Sequence, residues 1–127
     1  MVAYKGAPMD GGQEVSGVDV IGALKKQGMS ADDIGKGDVV MFHTGWVRYW
    51  IKDNKKYNGA VPEIGLEVGK WLTAKGVVIV GSDTWPVEVV PTPNPKLAFP
   101  VHQHLITKNG TFIHENAATE LLAAVKV

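Results

Sequence analysis

The stretch Val77-Val78-Ile79-Val80-Gly81-Ser82-Asp83-Thr84-Trp85 constrains the fold more than any other part of the chain. It begins as an unbroken β-branched run and ends in small and polar residues. Val and Ile without polar alternation read as a strand buried on both faces, the kind found in parallel sheets covered by helices. In open α/β sheets, ligands sit beyond the carboxyl ends of the strands. Ser82, Asp83 and Thr84 fall at that end, with Trp85 beside them. The same residue types also favour helix-capping turns, so the segment admits both a site and a plain turn.

The neighbouring segments supply partners for this strand. Val39, Val40, Met41 and Phe42 form a second buried run within Asp38–Thr44, followed by Gly45 and Trp46. Between the two runs, Pro62 and Gly76 bracket a helix, the usual asymmetry of an opening proline and a closing glycine. Ile64, Val68, Trp71, Leu72 and Lys75 recur there at helical spacing, and Gly65 and Gly69 leave a smooth stripe that lets the helix approach the sheet. Strand 38–44, helix 64–75 and strand 77–82 make a βαβ unit with a right-handed crossover. Thr111–Glu115 reads as a third strand.

Other elements are shorter. Residues 1–17 are rich in glycine and read as an irregular arm. Val18–Gln27 predicts a helix with Val20, Ile21 and Leu24 on its apolar face, capped by Ser16 or Asp19 and stopped by Gly28. Ser30-Ala31-Asp32-Asp33 predicts a capping box around one turn. Pro86, Pro91, Pro93 and Pro95 stiffen a long loop over 84–99, which reads as an ordered lid or interface strap. Pro100 opens a short helix that Asn109-Gly110 ends, and Ala117–Ala124 predicts a terminal amphipathic helix. The expected class is α/β, with a small, mainly parallel sheet and packed helices.

At 127 residues the chain suits one domain with a real core. Thirteen basic residues balance thirteen acidic ones, which argues against a nucleic-acid footprint and a polybasic membrane surface. That holds although Trp46, Tyr49, Trp50 and Tyr57 are interleaved with Arg48, Lys52, Lys55 and Lys56. There is no cysteine, hence no disulfide framework and no thiolate chemistry. No basic region followed by an apolar stretch opens the chain. The longest apolar run is far short of the roughly 18–20 residues of a membrane span. The expected location is cytoplasmic, with no membrane partner.

The three strands end in polar clusters: His43-Thr44, Ser82-Asp83-Thr84 and His114-Glu115-Asn116. In a parallel sheet these share one rim, giving a candidate pocket of His43, Trp46, Ser82, Asp83, Thr84 and Trp85. His102 and His104 on a helix point about 200° apart, so one ion cannot take both. His102 falls one turn before Leu105, at the helix's buried edge. It reads as a metal ligand or as an ordinary histidine satisfied by hydrogen bonds. Glu115 follows the apolar run Phe112-Ile113, where a carboxylate is costly unless it is paired or bound to a metal.

Several of these segments together resemble the cyclase family, the metal-dependent hydrolases that include bacterial kynurenine formamidase and isatin hydrolase. Gly37–Trp46 resembles the family's central strand, and Lys75–Thr84 its next strand. Phe99-Pro100-Val101-His102 and Ile113-His114-Glu115-Asn116 resemble its last motif pair. The likeness runs from about Tyr4 to Leu122 and keeps the family's order. It implies a swivelling β/β/α fold and hydrolysis of an amide or related C–N bond at a zinc or manganese centre. It also implies that His102 and Glu115 are metal ligands. The family's main metal motif has no counterpart in residues 1–127. That motif reads histidine, any residue, glycine, threonine, histidine, any residue, aspartate. The catalytic histidine is missing with it. The chain therefore resembles the C-terminal half of a cyclase, a single domain over 1–127. The expectations are weak or absent metal binding alone, no activity alone, and a homodimer or higher oligomer or a complementing N-terminal half. The alternative is a non-catalytic small-molecule-binding or assembly domain derived from that fold.

Overall fold

A computed structural model describes residues 1–125 of the chain. In order, the elements are α1 (Val2–Lys5), β1 (Glu14–Val15), α2 (Gly17–Lys26), a 3-10 turn (Ala31–Asp33) and β2 (Val39–Phe42). A second 3-10 turn (Trp46–Tyr49), α3 (Asn54–Tyr57), β3 (Glu63–Ile64), α4 (Leu66–Lys75) and β4 (Ile79–Ser82) follow. After a long loop come α5 (Pro100–His102), a π-helix (Gln103–Lys108), β5 (Phe112–His114) and α6 (Glu120–Ala124).

Three strands form a parallel sheet in the order β2-β4-β5, with Val40 opposite Val80 and Val80 opposite Ile113. The chain is thus α/β with a small parallel sheet and packed helices. The capping box expected at Ser30–Asp33 is present, and Ser16, one of the two expected caps of α2, forms a second box with Asp19. Ser16 Oγ accepts from Asp19 N while the Asp19 carboxylate accepts from Ser16 N, and Ser30 and Asp33 repeat the arrangement. Gly76 closes α4 in the left-handed region at φ 79°.

Two segments differ from the sequence expectation. Pro62 does not open a helix. Glu63 and Ile64 instead form β3, which pairs in parallel with β1 from the supposedly irregular arm, and α4 starts after Gly65. The strand pairing goes with burial: Val15, Val61 and Ile64 are all fully enclosed. The Glu14 side chain folds over Gly65, and a Cβ there would lie 1.8 Å from Glu14 Oε1 and push that side chain aside.

The second difference concerns the sheet faces. Val20 and Leu24 of α2, Val68 and Leu72 of α4, and Val101 and Leu105 pack against Val40, Phe42, Val80 and Ile113. Alternation sends Val39, Met41, Ile79, Phe112 and His114 to the other face. There Val39 is 53% and Phe112 72% exposed, so the sheet is covered on one face, not on both. The terminal helix α6 does not fill the gap. It buries none of its residues, and Leu121 is 82% exposed.

The loop over 84–99 is ordered but turned inward. Val87, Glu88 and Val89 are buried, and Val61 and Val90 form an antiparallel bridge. Only its far end, with Leu97 and Phe99, presents apolar side chains to solvent.

Candidate functional site

Parallel strands bring the three polar clusters to one rim, where Asp83 is the hub. Its buried carboxylate accepts from Thr44 N at 2.8 Å, Thr44 Oγ1 at 2.7 Å and Gly45 N at 2.8 Å. These bonds tie the end of β2 to the end of β4. The third strand joins through Asn116 N, which donates to Thr84 O, and Ala117 N, which donates to Ser82 O. Tyr57 Oη donates to Asn116 Oδ1 at 2.7 Å. Ser82 Oγ donates to Glu63 Oε1, and burial pushes the Glu63 carboxyl up to about 8.

The candidate pocket residues are therefore close together, but most are enclosed. Ser82, Asp83 and Thr84 are fully buried, and their side chains bond to the protein itself. Trp46 is a core residue whose Nε1 donates to Tyr57 O. His43 Nδ1 lies 2.7 Å from Thr119 Oγ1 and 3.6 Å from Asp83 Oδ2. Trp85 is partly buried, packs edge-on to Phe99, and has an indole N–H with no partner among the described residues.

A second cluster lies at the β5 side of the sheet. His102 Nε2 is 2.9 Å from Glu115 Oε1, and His102 Nδ1 contacts Glu88 Oε1 on the opposite edge of the ring. Glu88 is buried and also accepts from Val101 N at 3.0 Å and His102 N at 3.3 Å. The hydrogen bond that the ring donates to Glu88, opposed by burial and reinforced by Glu115, raises the His102 pKa. His104 turns away to Thr73 Oγ1 at 2.9 Å. Phe99 at φ 47° and Asn116 at φ 53° flank the pair in the left-handed region. Non-glycine residues held there tend to gather at functional sites. A hollow of about 510 Å³ opens against His102, Glu115, Ile106, Phe112 and Ile113.

This donor set fits half of a metal centre. An ion at His102 Nε2 would have Glu115 beside it, but Glu88 sits on the far nitrogen and cannot reach the same ion. Among the described residues no group of three or more ligand-type side chains could hold a metal. A catalytic zinc ordinarily takes three protein ligands.

Glu88 is the residue that sequence reasoning misses. Its signal was present: it is a carboxylate set between Val87 and Val89, the same anomaly that marks Glu115.

Comparison with known proteins bears on this arrangement. The Cyclase family model matches residues 4–89. The chain belongs to the cyclase family. A crystal structure described as that of a novel cyclase is similar at a TM-score of 0.80 and 29% identity, over 96% of this chain. The chain covers 39% of that cyclase's length. Curated proteins give no match. In this cyclase-family chain the family-model match takes in the Asp83 hub and Glu88, while His102 and Glu115 lie C-terminal to it. No helix among the described residues is long and apolar enough to cross a membrane.

Proposed function

We propose that this chain is the C-terminal portion of a metal-dependent hydrolase acting on amide or related C–N bonds, with His102 and Glu115 as its share of the metal ligands. The observation that carries the reading is the 2.9 Å approach of His102 Nε2 to Glu115 Oε1 beside an open hollow. When bound, zinc or manganese would activate water and polarise the substrate carbonyl. The chain's own part is to hold the two ligands together at the rim. The remaining ligands and the catalytic histidine come from an N-terminal half supplied by other polypeptide. The isolated chain then binds zinc or manganese weakly or not at all and does not hydrolyse formyl-kynurenine or isatin. Calorimetric titration and an assay with added manganese test this. Submicromolar affinity that survives His102→Ala, or turnover at ordinary enzyme rates of roughly 1–1000 per second, would overturn it.

The bare sheet face favours a second reading, that of an assembly module. Parallel sheets are normally covered on both sides. The outer face carries Val39, Met41, Ile79 and Phe112, with no Asp, Glu, Lys or Arg among its strand residues. Two copies can meet there without opposing like charges, as a twofold contact demands. On this reading the chain is a homodimer through that face. The inward-turned loop contributes little.

A further inference from the structure

We infer that Glu88 is a positioning residue that keeps the proton of the neutral His102 ring on Nδ1 and leaves the Nε2 lone pair free for a ligand, with Glu115 able to swing aside. This deepens the proposed metal half-site, but it is a statement about the ring alone and can be tested with neither metal nor substrate.

A neutral imidazole carries one proton, on one of two nitrogens. Here each nitrogen faces a carboxylate: Glu88 Oε1 at Nδ1 and Glu115 Oε1 at Nε2. The two carboxylates differ in what they can do without the proton. The Glu88 side chain is 2% exposed and the Glu115 side chain 39% exposed. A hydrogen bond is stronger to a carboxylate inside the protein than to one that water also reaches. The buried partner is therefore favoured on strength alone.

Freedom to move points the same way. Glu88 is held by the N–H groups of Val101 and His102 at the start of α5. It cannot withdraw without stranding both donors. Were Nδ1 unprotonated, its lone pair would face a pinned, buried carboxylate. If Nε2 is unprotonated, Glu115 simply turns toward water. The ring orientation is fixed as well, because Phe99 packs edge-on to it with centroids 5.6 Å apart. Histidines that ligate metals commonly donate their other N–H to a carboxylate, which sets the tautomer and raises ligand basicity. The loop over 84–99 thus reaches the site through two side chains, Glu88 and Phe99, although most of it packs elsewhere.

Long-range ¹⁵N–¹H correlation spectra of the four histidine rings test the inference. They are recorded at a pH where the rings are neutral, and His102 is assigned from its loss in His102→Gln. The expected pattern is Nδ1–H in the wild-type chain, unchanged in Glu115→Gln and moved toward Nε2–H in Glu88→Ala. A wild-type ring protonated on Nε2 would overturn the inference. So would a tautomer that changes in Glu115→Gln but not in a folded Glu88→Ala. Should Glu88→Ala fail to fold, the wild-type and Glu115→Gln spectra still decide. Absence of hydrolysis in a reconstituted enzyme would remove the proposed function and leave this result standing.

Discussion

Asp83 and Glu88 are both buried carboxylates, five positions apart, and both are saturated with donors. Asp83 takes its close donors from Thr44 and Gly45, groups that end inside the protein, while the His43 imidazole lies 3.6 Å away and pairs with Thr119 Oγ1 instead. Glu88 takes two from backbone and one from an imidazole whose other edge reaches the surface. The first arrangement closes the sheet. The second passes the influence of a buried charge to an accessible atom. A buried acid alone does not mark a site; what its partners touch next does.

The comparison breaks first at Asp83. Asp83→Ala should cost about 3–5 kcal/mol, because it strands two buried backbone N–H groups and a hydroxyl. Urea unfolding measures it, and a loss below about 1 kcal/mol would mean the hub is not structural. The next effect belongs to Glu63, on the hub side. Its folded pKa of about 8 lies above the ordinary carboxylate range. Its stabilising contribution is therefore complete at acid pH and is lost as pH rises toward and through about 8. Stability should fall by about 1 kcal/mol per pH unit between about pH 5 and 8, and Glu63→Gln should flatten that slope. A wild-type chain equally stable across this window would contradict it.

Association tests the other half of the comparison. Light scattering at micromolar concentration should show a dimer. Phe112→Lys should return it to a monomer and leave the unfolding midpoint within a few degrees, since Phe112 is 72% exposed. A wild-type monomer would end the assembly reading. The smallest effect is at Glu115. It is an exposed partner in its pair, so Glu115→Ala should change stability by about 0.5 kcal/mol or less while removing one of the two proposed metal ligands. A loss as large as that of Asp83→Ala would put Glu115 in the structural class.

Much of this was legible beforehand. The β-branched runs located β2 and β4, the capping boxes appeared at Ser16 and Ser30, and the parallel order brought the strand ends to one rim. What failed was local and has physical causes. β1 and β3 are two residues each, too short to show alternation, so the arm looked irregular and Pro62 looked like a helix start. A continuous apolar run such as Val39–Phe42 does not say which of its two faces is covered. Polar residues at strand ends read as a site, but Ser82 serves the buried Glu63 carboxyl and Thr84 the Pro86 carbonyl. Glu88 escapes that reading because it sits in a proline-rich loop rather than on a strand.

The outer face also carries its own chemical gauge. Met41 lies over Gly81 there, so close that a Cβ on Gly81 would fall 2.6 Å from its sulfur, and it is only partly buried. Met9, by contrast, is 2% exposed in the core. Peroxide converts an accessible thioether to a polar sulfoxide. With the face open, Met41 should oxidise well ahead of Met9. With the face covered by a second copy, the two rates should draw together. One mass-spectrometric time course, with Met9 as the internal standard, then reports how wet the sheet is in whatever assembly the chain adopts.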